Sequence, residues 1–350
     1  MTPQKAQSDP QFDALPEGVS RAPFDPDAAG EAVEAITLKS GRFGARILTY
    51  GATIQAFWVD GVDILLGHDT MAGYRARPTP YLGATIGRLG NRIRNGAFEI
   101  AGQRYQIGAP EDHGLHGGPE GFHARIWRVA EVTPDSVTLD LLSADGDQGY
   151  PAEVHAQVTY ALTPDGLMIT HRATATAPTP VSMTNHAYLN LGAPLEEHLL
   201  QLNATRYLPG DADGIPLGAP AEVAGTVFDF RAPKAIGAGL AQQDPQLTAR
   251  GGFDHAFCLD GEGLREVGRL SVEGGLQLAL WTDQPSLMFY SGNFLGDGPV
   301  GKGGQPIGYR TALCLEPQAW PDSPNHSEYP FALTTPAHPH LSRIEWRFGR

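Results

Sequence analysis

The sequence predicts an all-β protein built as one large, mostly antiparallel β-sandwich. Short apolar or alternating runs recur from about Ala32 to the C-terminus, each closed by Gly, Pro, Asp or Asn. The 43 glycines and 29 prolines are spread along the chain, as the punctuation of many short strands requires. Helical periodicity is nearly absent, and no repeat of about 20–50 residues suggests a propeller or solenoid. Of the 350 residues, 41% are hydrophobic and 18% charged, a balance that supports a substantial core.

Residues 1–30 are polar and proline-rich with no hydrophobic stretch; they read as a flexible leader, followed by a single domain over residues 31–350. Arg46–Tyr50, Thr53–Val59, Val137–Leu142 and Val154–Tyr160 each have strand character, and the last alternates strictly. In Val181–Leu191, period two places Ser182, Thr184, His186, Tyr188 and Asn190 on one face. Val181, Met183, Ala187, Leu189 and Leu191 fall on the other, with Asn185 the exception. This predicts one strand with a buried apolar side and an uncharged hydrogen-bonding side centred on a histidine, a surface suited to a neutral, hydroxyl-rich ligand. Asn185 is expected to brace a neighbouring loop.

Pro233–Gln242 is the candidate helix. Ser286–Gly292 reads as a strand with the amide of Gln284 at its rim. In Leu313–Gln318, period two sets Glu316 beside Cys314 and opposite Leu313 and Leu315, and Pro317 biases Glu316 toward extended backbone. A carboxylate on a partly apolar strand has either a cationic partner or a chemical role. Asn91 and Arg92, within the glycine-bearing stretch Gly87–Ile93, read as an exposed strand-loop junction or as a pair reaching ligand hydroxyls. His116, in a Gly-Gly turn, is a candidate ligand contact. Asp254, between apolar neighbours, is a candidate contact or a turn residue.

A net charge of −14 argues against nucleic acid as a partner, because phosphate binding needs concentrated Lys and Arg. No apolar run approaches a membrane span. Cys258 and Cys314 make neither a metal-ligand spacing nor a disulfide framework, which points to a reducing cytoplasm. Gly296–Gly303 matches GxGxxG, but Gly303 stands where a phosphate loop needs Ser or Thr and Pro299 removes an amide, so a hairpin loop is expected. Asp211–Gly214 has its glycine misplaced for a calcium loop, and His113, His116 and His123 lack clear metal register. No metal and no cofactor is expected.

Seven segments occur in an order that resembles the aldose 1-epimerase (galactose mutarotase) family: Gly87–Ile93, Leu115–Phe122 followed by Trp127, Asp145–Pro151, Thr184–Leu191, Phe253–Phe257, Gln284–Leu295 and Cys314–Asp322. The resemblance covers the chain from about residue 35 onward and implies that family's supersandwich, with a sugar cleft across one concave face. Carried over by matching motif, it implies Glu316 as general base, His186 as general acid and His116 near the ring oxygen. It implies Asn91, Arg92, Tyr188, Asp254 and Gln284 as hydroxyl contacts. Leu189 stands where the family often has an aromatic, and Pro317 where it often has Thr; neither removes a reacting group.

The implied reaction interconverts α and β anomers of a free aldose, using one carboxylate and one imidazole and needing no metal or redox cofactor. Nearby acids are expected to favour protonated His186. A glycoside hydrolase using Asp254 and Glu316, and a non-catalytic sugar-binding module, are the competing readings. L-arabinose, xylose, glucose and galactose all stay open as substrates.

Overall fold

The computed structural model describes residues 9–26, 30–76, 80–296 and 300–349. Gly18–Phe24, Val33–Ser40, Phe43–Leu48, Thr53–Val59 and Val62–Asp63 form a five-stranded antiparallel sheet in chain order. A nine-stranded sheet is built around the long neighbours Ser136–Ser143, Val154–Thr163, Gly166–Ala175 and His340–Phe348. A six-stranded sheet runs, in spatial order, Tyr188–Leu189, Leu313–Gln318, Ser286–Tyr290, Asp254–Cys258, Arg206–Tyr207 and Ala221–Glu222.

One apolar core joins all three. Phe57 of the first sheet meets Trp346 of the second edge-on, with ring centroids 5.7 Å apart. Leu200, Leu270 and Leu280 of the second share the same buried cluster with Phe257, Phe289 and Leu315 of the third. The burial pattern separates the roles of the strands. Val154–Thr163 alternates buried and half-buried positions, as a strand with one side on the core should. Ser286–Tyr290 and Leu313–Gln318 are buried at every position, because the side away from the core lines a cleft.

Two expectations about continuity differ from the structure. Within the segment read as a leader, Gly18–Phe24 pairs in register with Val33–Lys39, and Asp9 caps the short helix Pro10–Ala14, which sets Phe12 against Trp58. Residues 1–8 and 27–29 lie outside the described residues. The segment Val181–Leu191 is not one strand. Thr184–Asn185 pairs with Thr85–Ile86, whereas Tyr188–Leu189 pairs with Leu313–Cys314 in another sheet. The chain changes partners at His186–Ala187, so a periodic side-chain pattern survives a break in the ladder. Asn185 is buried, and its amide donates to the Gly83 carbonyl (3.0 Å) and to Tyr160 Oη (3.0 Å), bracing the loop that precedes the Thr85–Ile86 strand.

Several conspicuous segments hold the scaffold. Arg88 is buried and donates to Ser143 Oγ and to the carbonyls of Ser143, Ala144 and Pro151, which explains the turn-rich stretch Asp145–Pro151 as a clamp. The loop containing Gly296–Gly303 joins the antiparallel strands Ser286–Tyr290 and Leu313–Gln318; residues 297–299 lie outside the described residues. In that loop Lys302 pairs with Asp63 (2.5 Å). Asp211 Oδ1 closes a tight turn by accepting the amides of Asp213 and Ile215. The helix Ile236–Leu240 falls inside the expected range. Among the described residues no helix is long and apolar enough to cross a membrane.

Burial has a consequence for acid stability. It lowers His171 to about 3, and His255 and His340 to about 4. Between those values and the ordinary 6.5, the unfolded chain binds more protons than the folded one. Stability therefore rises with pH across this window and is lost as pH falls through it, by about 1.4 kcal/mol per pH unit per histidine. The melting temperature should drop steeply between pH 6.5 and 4; a flat profile there in scanning calorimetry would contradict the buried neutral state of these rings.

Candidate active site

The cleft is a cavity of about 200 Å³ over the six-stranded sheet, lined by Tyr81, Asn91, Arg92, His116, His186, Tyr188, Asp254, Met288, Tyr290, Phe294 and Glu316 among others. Its size suits one small ligand. A larger hollow of about 660 Å³ lies beside the first sheet, where Lys302 pairs with Asp63 and the Trp58 indole donates to Asp9 (2.9 Å).

Glu316 is carried by the strand Leu313–Gln318, flanked on one side by Ser286–Tyr290 and on the other by Tyr188–Leu189. Leu313 and Leu315 face the core, as the alternation requires, which turns Cys314 and Glu316 to the cleft side. Met288 is the register partner of Glu316, and Tyr290 and Tyr188 are those of Cys314. Glu316 is 2% exposed; its Oε1 lies 3.5 Å from His186 Nε2, and its Oε2 is buried without a hydrogen-bond partner.

His186 sits at the change of sheet. Its amide donates to the Ala84 carbonyl (2.9 Å) and its own carbonyl accepts from the Gly83 amide (3.0 Å), so the backbone beneath the imidazole is held on both sides. Burial lowers its pKa to about 4, and burial, reinforced by Asp254, pushes Glu316 well above the ordinary carboxyl range. Burial thus works against the protonated His186 expected from its acidic neighbours, although Asp254 pulls the other way. Both groups lose their hydration, and a 3.5 Å contact returns too little attraction to keep the pair ionised.

His116 lies in a turn at φ 51°, where its Nδ1 accepts the Asn91 amide proton (3.2 Å). That bond assigns the remaining proton to Nε2, so this buried ring offers a donor. Its centroid is 5.2 Å from that of His186. Tyr81, also at positive φ, packs edge-on against His116 and His123, each at 4.7 Å. Arg92 makes no ion pair among the described residues, and burial lowers its pKa. Asp254 opens the strand Asp254–Cys258. It is met by Arg250, whose Nη2 and Nε donate to Oδ2 at 2.5 and 3.1 Å. Arg250 is placed by the helix Pro245–Arg250, which Asp244 caps and Gly251, at φ 66°, terminates.

Seven of the eight site residues expected from the sequence meet in this cleft: Glu316, His186, His116, Asn91, Arg92, Tyr188 and Asp254. Gln284 does not. It sits in the bend between the strands Gln277–Thr282 and Ser286–Tyr290, and its amide nitrogen donates to Asp283 Oδ1 (2.8 Å) and the Leu341 carbonyl (3.3 Å). Of the five polar-face residues in Val181–Leu191, only His186 and Tyr188 line the cleft; Ser182 Oγ instead accepts the Ala319 amide. Tyr81, Met288, Tyr290 and Phe294 were not singled out from sequence. Alternation along Ser286–Tyr290 groups Met288 with Tyr290, but neither residue is chemically conspicuous. Among the described residues, His186, Cys314 and Glu316 form the group of potential metal donors that comes together, within 4.8 Å of one another. The imidazole, however, turns Nδ1 to the thiol and Nε2 to the carboxyl.

Fold and cleft together define a β-sandwich protein with a buried carboxyl–imidazole pair opening onto a small pocket of mixed polar and aromatic lining. The family profile described as Aldose 1-epimerase matches residues 34–344. Galactose mutarotase of Mus musculus is 38% identical over 334 residues, spanning 92% of this chain and 96% of that protein. Aldose 1-epimerase of Escherichia coli K12 is 38% identical over 335 residues, spanning 91% and 96%. The crystal structure of galactose 1-epimerase from Lactobacillus acidophilus superposes with a TM-score of 0.84 at 28% identity, covering 95% of this chain and 98% of that one. The chain belongs to the aldose 1-epimerase family.

Proposed function

We propose that this protein is an aldose 1-epimerase, an isomerase that interconverts the α and β anomers of a free aldose, acting in the cytoplasm through a single domain in which the strand Gly18–Phe24 joins residues 31–350. The observation that carries the mechanism is the orphaned Oε2 of Glu316, a buried acceptor in the cleft beside an imidazole. A buried carboxyl oxygen without a partner is costly, and the C1 hydroxyl of a pyranose supplies one.

Glu316 takes the C1 hydroxyl proton while His186 Nε2–H protonates the ring oxygen. The C1–ring oxygen bond breaks, leaving an aldehyde, a protonated Glu316 and a neutral His186. Rotation about C1–C2 and the reverse transfers close the ring on the other carbonyl face. The neutral pair favoured by burial is thus the form the pair holds while the sugar is open. The ion-pair form differs from it only by a proton shift between two groups 3.5 Å apart. His116 donates to the sugar near its ring oxygen, and Asn91, Arg92, Tyr188 and Asp254 hold hydroxyls. The two-bond grip of Arg250 on Asp254 Oδ2 favours this binding role over use as the second carboxyl of a glycosidase.

Polarimetry on freshly dissolved α-D-glucose and α-D-galactose, extended to L-arabinose and xylose, tests the function: an unchanged rate of mutarotation with all four aldoses refutes it. The mechanism also needs one shared proton on the pair. Activity should fall on the acid side near pH 4, where His186 gains a second proton, and on the alkaline side only above the raised range of Glu316. An acid limb centred near 6.5 would speak against the neutral resting pair.

A further inference from the structure

Cys314 has no part in the proton transfers above, yet it touches the group that performs one of them. Its Sγ lies 3.5 Å from His186 Nδ1, within the range of a sulfur hydrogen bond, and the residue is fully buried. Tyr188 and Tyr290 are its register partners on the two flanking strands, so its side chain is confined from both sides. We propose that Cys314 is the positioning residue for His186, holding Nδ1 so that Nε2 stays turned to Glu316 and the sugar in both protonation states of the ring.

This role for Cys314 rests on the proton transfers proposed for His186. During turnover that ring gains and loses its proton at Nε2 and keeps Nδ1–H throughout, so its far nitrogen needs an acceptor that does not itself fix the charge of the ring. A thiol sulfur is a weak, uncharged acceptor that can receive Nδ1–H in both forms of the ring. A carboxylate there would trap the charged form, and an aliphatic side chain would leave Nδ1 unpaired. Burial, with Glu316 two residues along the same face, keeps the thiol well above its ordinary range and hence protonated. Tyr188, Tyr290 and Asp254 are the other titratable groups around it. A half-turn of the imidazole would exchange Nδ1 for Cδ2 and draw Nε2 away from Glu316. Besides Glu316 itself, the thiol is the contact that distinguishes these two orientations, whereas the ring packing of Tyr81 and Tyr188 (5.6 and 5.2 Å) does not.

Cys314→Val removes the hydrogen bond while adding about one methyl group; Cys314→Ser preserves a donor and acceptor in a slightly smaller side chain. The Val variant should lose kcat by roughly 10- to 100-fold with KM within about threefold, as expected for a displacement of about 1 Å at a reacting group. The Ser variant should retain the larger part of kcat and the wild-type acid limb. A space-filling role predicts the reverse order, with Val active and Ser impaired, and that result overturns the proposal. Should the Val variant not fold, ¹⁵N spectra of the wild-type imidazoles decide: a His186 Nδ1 shift typical of an unbonded nitrogen overturns it as well. If wild-type protein accelerates no aldose, the epimerase reading fails instead, and the NMR shift still reports on the thiol contact.

Discussion

Glu316→Gln is expected to lower kcat for anomer interconversion by roughly 10²- to 10⁴-fold while sugar affinity stays within a few-fold. Gln has the same shape and keeps an acceptor for the C1 hydroxyl, but it cannot take the proton. Stability should not suffer. The folded pKa of Glu316 is raised, so between the ordinary value and the raised one the folded state holds more protons than the unfolded state, and stability falls as pH rises through that window. Removing the ionisable group at neutral pH removes this cost. Stopped-flow polarimetry together with a melting curve measures both. A Gln variant with wild-type turnover would take Glu316 out of the chemistry. His186→Asn should lose activity to a similar degree, and the double variant should lose less than the product of the two, since each group serves the other's proton transfer.

Arg250→Met should destabilise the protein by about 3–5 kcal/mol and weaken sugar binding. The Arg250–Asp254 pair is nearly closed to solvent, with side-chain exposures of 7% and 9%. Deleting the guanidinium leaves a buried carboxylate at the cleft wall with its strongest partner gone, and it also breaks the donation from Arg250 Nη1 to the Ala212 carbonyl (2.7 Å). Because Met retains much of the aliphatic stem, the loss would report on charge more than on packing. Adding Asp254→Asn should recover much of the stability but not the affinity, since the carboxylate is the group meant for the sugar. A double variant as unstable as Arg250→Met would show that the guanidinium acts through its backbone contact instead.

The architecture was legible because alternation is a local property. Thr53–Val59 and Val154–Thr163 show in sequence the same sides they bury in the structure, and Leu313–Gln318 shows which residues share a face with Glu316. What alternation does not encode is the neighbour. Val181–Leu191 keeps period two across two different ladders, so it read as one strand. Gln284 looked like a rim amide, yet Met288 and Tyr290 on the same strand reach the cleft. Tyr81 and Arg250 enter the site from a loop and a helix end that carry no periodic signal.

The sequence by itself determined which chemical groups are available and which side of each strand presents them: a carboxyl beside a thiol, an imidazole beside a tyrosine. Only the tertiary structure decided what those groups are. It set Glu316 and His186 3.5 Å apart, both nearly buried, where loss of hydration disfavours the charged form of each and works against the protonation expected for His186. The reason is physical: a side-chain period is set by the bonds on either side of a residue, whereas its pKa depends on hydration lost to residues far away in the chain.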